Sequence, residues 1–332
     1  MRIPSIIVFF IFILEFTACS IDPKINPTLG DCPTLNELIS TLDYPDGGYS
    51  IGNDFLIGAD SAIIYCHYVP GNNDEIIGYY SGYLSSNQAS LVKYNLFTNE
   101  IFTILENPEF FAYLVISSTG WLLFTLNDSQ IWKVKINGDS LTQLTHNGVN
   151  FEFAWSPDGE RFIYKQDYPI GTYNTIISDK NGNYLFSMGA SYKIRNPVWS
   201  PDGKYIACGN FSGYYTEIDL INTSNWEIEN LIDGEDIFTE KIKDIDFFPD
   251  SKNILWATNT ELRKTNIETG ETEVIATTCD SQGFDAISIS DDGQNIIVKK
   301  TVYTYYDSKH LLISPRIFLL DISGNVIYEI FF

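Results

Sequence analysis

An all-β architecture of six consecutive four-stranded units is predicted by three observations: a hairpin phrase that recurs along the chain, a second turn-centred hairpin after each copy, and a 15% aromatic content suited to ordered packing. The phrase is clearest at Phe153-Ala154-Trp155-Ser156-Pro157-Asp158-Gly159 and at Val198-Trp199-Ser200-Pro201-Asp202-Gly203, each followed by a second apolar strand. Weaker copies lie at Phe247 to Ser251, Ile289 to Gly293 and Ile116 to Gly120, and the most degraded is Gly58-Ala59-Asp60-Ser61. Taking the last residue of each turn places the markers at 61, 120, 159, 203, 251 and 293. An apolar strand, a tight turn and another apolar strand make a β-hairpin.

The second hairpins turn at Phe97-Thr98-Asn99, Asn137-Gly138-Asp139, Asn181-Gly182-Asn183, Asn222 to Asn225, Glu268-Thr269-Gly270 and Ser323-Gly324-Asn325. Asn and Gly supply the positive φ such turns demand. Two hairpins per unit and six units give a six-bladed β-propeller over residues 51–332, with four antiparallel strands per blade. Each blade is expected to be continuous in sequence, with no borrowed strand at the closure.

The phrases Trp199-Ser200-Pro201-Asp202-Gly203-Lys204 and Trp155-Ser156-Pro157-Asp158-Gly159-Glu160 resemble the WD40-like repeat of the TolB family, and Gly138 to Asn147 resembles the linker before that phrase. The resemblance implies a six-bladed propeller used as a binding platform. The tether ahead of the repeats is too short for the separate α/β domain of TolB itself, so no partner or contact residue is carried over.

The N-terminus reads as an export signal over residues 1–18: Arg2, an apolar run from Ile6 to Leu14, then Thr17 and Ala18 before Cys19. The run is too short to span a bilayer as a helix. Phe16-Thr17-Ala18-Cys19 resembles the bacterial lipobox, which implies acylation of Cys19 and a durable membrane anchor. Ser20 resembles an outer-membrane sorting signal. Residues 19–50 form a tether with a short helical candidate, Thr34 to Leu42, opened by a Thr34/Glu37 capping box. The formal net charge of −23 repels nucleic acid and anionic lipid heads. Beyond Cys19 the cysteines are Cys32, Cys66, Cys208 and Cys279, without CxxC spacing, so neither zinc nor a thioredoxin-like reaction is indicated. Cys208 reads as a buried free thiol.

No catalytic motif, metal-binding motif or cofactor loop is present among those inspected: GxSxG, HExxH, the phosphate loop and the EF-hand loop are all missing. Asp158, Asp202, Asp250 and Asp292 recur in turns and are expected to accept turn amides rather than to do chemistry. Counting seven or eight residues back from each turn marks Asp54, Glu152, Arg195 with Asn196, Lys243 with Asp244, and Asp285 as a ring at the channel mouth, suited to a basic group or cation. Tyr79, Tyr80, Tyr83, Tyr168, Tyr173, Tyr214, Tyr215, Tyr303, Tyr305 and Tyr306 are expected on loops of the same face, where aromatics offer rigid contact area.

The expected function is a non-enzymatic, monomeric cell-envelope lipoprotein, kept from nucleic acid by its charge, that binds an envelope protein or glycan. The alternative is a polysaccharide lyase or hydrolase using Glu152 or Asp244 in the channel. A purely structural component is the third reading, and it predicts no pocket at the channel mouth.

Overall fold

The computed structural model describes residues 55–57, 61–82, 89–107, 112–126, 129–189, 192, 194–210, 217–233, 241–279, 283–307 and 310–330. The signal, Cys19, the Thr34–Leu42 helical candidate and Asp54 lie outside them.

Six sheets of antiparallel strands stand around a ring, in sequence order. Their innermost strands are Ser61–Val69, Ala112–Ile116, Val149–Trp155, Ile194–Trp199, Asp244–Phe247 and Phe284–Ile289, and each blade continues outward strand by strand. The period of two along a strand sends alternate side chains to opposite seams. In Arg161–Asp167, Phe162 and Tyr164 enter the seam with blade two while Ile163 enters the seam with blade four. The core is therefore six clusters, one per pair of neighbouring blades. No blade buries its apolar faces alone, so stability depends on the closed ring.

The recurring turns hold the ring at one rim. Gly159, Gly203 and Gly293 adopt positive φ, and a Cβ at Gly203 or Gly293 would press to 3.3 Å on Pro157 or Pro249 of the preceding blade. The Pro and Gly of the phrase are thus partners across seams. Ser118 donates to the Pro157 carbonyl, the Asp202 amide donates to Ser251 Oγ at 3.0 Å, and the Gly71 amide donates to Asp291, linking blades two to three, four to five and six to one.

Two expectations fail in blade one. The turn between its first two strands lies at Pro70-Gly71, between Ser61–Val69 and Asn72–Gly82, not at Gly58 to Ser61. Counting back from the observed turn leads to residues 63 and 64, so the channel position assigned to Asp54 rests on the wrong turn. The closure also has a borrowed strand: Phe55–Ile57 pairs in parallel with Leu311 to Ile313 of the last blade. The sixth sheet therefore has five strands.

Candidate functional site

The innermost strands begin at the rim opposite the Pro-Asp-Gly turns, and five of the six carry a register shift near that rim. A bulge inserts a residue and re-aims its side chain. The shifts enclose Tyr113, Glu152, Asn196 and Asp285, and the first three have positive φ of 52°, 53° and 44°. Pro197 beside Asn196 is the one sequence signal of a bulge, since proline inside a strand interrupts the ladder.

These re-aimed residues share one cavity of about 750 Å³ on the propeller axis. Glu152, Arg195, Asn196, Lys243, Asp244 and Asp285 all line it, which brings together every channel residue expected from blades three to six. Arg195 lies across the sheet from Gly209. Counting back missed several lining residues, Asp246 and His67 among them. Asp246 follows Asp244 at the strand period, so the Asp-Ile-Asp-Phe alternation carried the signal. His67 of blade one was concealed by the misplaced turn; it donates Nε2–H to the Leu114 carbonyl at 2.8 Å, and burial holds its imidazole below the usual histidine value.

Polar groups stitch the blades around the cavity. The Asn196 amide donates to Glu152 at 2.6 Å, and its side chain donates to the Lys243 carbonyl. Asp244 accepts the Ile245 amide at 3.0 Å and the Ile287 amide at 2.9 Å. Asp246 accepts those of Phe247 and Ile289, each at 2.8 Å. Burial pushes both aspartates up to about 7 against the pull of these hydrogen bonds, with Glu152 adding to the effect at Asp244 and Asp244 adding to it at Asp246. Both therefore change charge near neutrality. Thr301 donates to Asp285 from the next strand of blade six.

The turn aspartates do the local work expected of them. Ser156 donates to Asp158 at 2.5 Å, Ser200 to Asp202 at 2.7 Å and Ser290 to Asp292 at 2.6 Å, while Asp250 accepts two amides and the Asn253 side chain. Burial works to raise Asp158, Asp202 and Asp250, but the hydrogen bonds outweigh it and hold them below the usual range; at Asp292 the Ser290 bond leads the lowering. A depressed carboxylate stabilises the fold above its unfolded value and loses that contribution as pH falls through the folded one. A urea midpoint measured against pH is therefore expected to drop steeply below about pH 4. A midpoint unchanged down to about pH 2 contradicts these bonds.

The tyrosine loops are only partly as expected. Tyr168 lies on a loop and is 54% exposed, beside Ile170 at 91%. Tyr173 opens a strand and packs edge-on against Phe151. Tyr79 and Tyr80 belong to the strand Asn72–Gly82, and Tyr303, Tyr305 and Tyr306 to Asn295–Asp307, because both hairpins of long strands extend past the loops assumed from sequence. Tyr83, Tyr214 and Tyr215 lie outside the described residues. Cys208 is a buried free thiol, pushed up to about 12 chiefly by burial.

A family model described as Eukaryotic translation initiation factor eIF2A matches residues 115–296, more than half of the chain. No curated protein matches it. Among solved structures, a protein described as a TolB from Agrobacterium tumefaciens superposes with a TM-score of 0.59 at 17% identity, covering 74% of this chain and 89% of that one. TolB from Acinetobacter baumannii gives 0.58 at 15% identity and covers 81% of this chain and 64% of its own. A chain of a nidogen/laminin complex gives 0.54 at 13%, covering 72% and 89%. At such identities the likeness shows the fold.

Proposed function

We propose a binding platform as the function of this chain, which belongs to the family described as Eukaryotic translation initiation factor eIF2A and has the six-bladed TolB-like fold. It is a non-enzymatic lipoprotein of a bacterial envelope, anchored through acylated Cys19 at the outer membrane, and it offers the channel-mouth face to an envelope protein or saccharide. The translation role named in the family's description is not carried over: a chain of net charge −23 with an export-type N-terminus is poorly suited to ribosomal RNA.

The observation that carries the reading is the axial cavity of about 750 Å³, lined by side chains that bulges turn into it. A purely structural component needs no such cavity. Against the enzymatic alternative, Glu152 accepts the Asn196 amide and Asp244 the Ile287 amide, each from the next blade, which suits holding blades together better than moving a proton. The loop carrying Tyr168 and Ile170, between the second and third strands of blade three, is held by hydrogen bonds from Thr172 to Pro169 and from Gly171 to Asp167, which lowers the ordering cost of its contact area.

A glycan array and an envelope pull-down test the proposal. Tyr168→Ala combined with Tyr214→Ala and Tyr215→Ala is expected to weaken capture by about tenfold or more with an unchanged circular dichroism spectrum. Equal capture by both proteins would remove the loop face from the account.

A further inference from the structure

Asp244 and Asp246 alternate on one strand, so both carboxylates meet the cavity at positions about 6.7 Å apart along it. Neither forms an ion pair among the described residues; their partners are backbone amides and, for Asp244, the Asn196 side chain at 3.4 Å. An ionised carboxylate offers roughly four lone-pair sites, so each keeps acceptor capacity toward the channel. Buried charge without a counter-charge is costly, and the compensation has to come from a proton or from a bound cation.

The rest of the lining favours the cation. Glu152, Asp285 and Asp291 add three more carboxylates, against the two cations Arg195 and Lys243 and the neutral His67. Asp246 and Asp291 also line a second cavity of about 300 Å³ at the Pro-Asp-Gly rim, so the acidic wall runs along the axis instead of converging on a point. No group of three or more side chains suited to a metal ion occurs among the described residues. Trp155, Trp199 and Tyr113 supply apolar surface beside the acids, which suits a methylene chain between two charges.

We infer that the central channel takes an extended organic dication, a diamine or a polyamine-like chain, with one ammonium at Asp244 and the next at Asp246. The inference rests on the channel being the ligand site, and it names that site's ligand class. Because both carboxylates lose their charge as pH falls through about 7, the dication binds in the alkaline arm and leaves in the acidic one.

Titration calorimetry of the whole protein with diaminobutane and diaminopentane, against butylamine and calcium chloride, provides the test. At about pH 8 the diamines are expected to bind saturably and at least tenfold more tightly than butylamine, with about a tenfold loss in Asp246→Asn and a similar loss in the wild type at about pH 6. The pH arm needs no variant, so the inference stays testable if Asp246→Asn does not fold. Absent diamine binding at about pH 8, equal binding of butylamine, tighter binding of calcium, or binding indifferent to pH each overturns it. Loss of the diamine result with tyrosine-dependent capture retained removes the dication and leaves the platform; loss of both removes the platform as well.

Discussion

Trp256→Ala is expected to lower the unfolding free energy by about 4 kcal/mol, enough to take most of the stability of a marginal domain. Trp256 is 0% exposed in the seam between blades four and five, packed with Ile218, Leu220, Phe247 and Ile254. Its indole N–H donates to Thr265 Oγ1 at 2.9 Å, so truncation opens a cavity and also deprives a buried hydroxyl of a donor. Trp256→Phe keeps most of the volume and is expected to cost about half as much. Urea unfolding followed by circular dichroism measures both; near-equal costs would show that volume is not what the seam requires.

Gly182→Ala is expected to be as damaging, for a backbone reason. Gly182 has φ of +85°, and a Cβ there would overlap the Leu144 carbonyl oxygen of blade two. The same approach recurs at Gly138 to Ile104 O (2.7 Å) and Gly324 to Ile275 O (2.5 Å), where the outer turn of one blade closes on the last part of its predecessor. Gly270 occupies the corresponding turn of blade five with φ of +74° and open space around it. Gly270→Ala therefore carries only the conformational penalty of about 1 kcal/mol, whereas Gly182→Ala is expected to exceed about 3 kcal/mol. Equal costs would mean that the close approach between blades does not constrain the turn.

The contrast explains why some of this fold was legible in the sequence. Positive-φ turns need Gly or Asn, and rim contacts need a Pro beside a Gly, so blades three and four announced themselves through Trp-Ser-Pro-Asp-Gly and all six outer turns could be placed. Blade one was misplaced because Gly58, Asp60 and Ser61 ahead of the run Ala62 to Val69 have the composition of a turn, while its true turn, Pro70-Gly71, lacks the Asp and the preceding Ser. The parallel pairing of Phe55–Ile57 with the last blade joins residues more than 250 apart, and three apolar residues carry no mark of such a partner.

The site was legible in position and less so in detail. Counting from the turns found Glu152, Arg195, Asp244 and Asp285, because a propeller's inner strands all start at the same height. It could not show the bulges at Glu152 and Tyr113, since neither is a residue type that favours positive φ. Nor could it show that Glu152 and Asp244 each accept an amide of the next blade, from Asn196 and Ile287, which depends on how blades meet. The tyrosines misled for a simpler reason: aromatics favour strands as readily as binding loops, and Tyr303 and Tyr305 extend a strand.

The central claim is that the channel-mouth face is where a partner docks. Hydrogen–deuterium exchange of the protein alone and with the envelope ligand identified by capture tests it most directly. Protection is predicted in Tyr168 to Tyr173 and in the starts of the inner strands, Val149 to Glu152, Ile194 to Asn196 and Asp244 to Asp246. Protection confined to the outer strands Ile101–Asn107, Tyr184–Gly189 and Thr272–Thr277, with the inner strands unchanged, would contradict it.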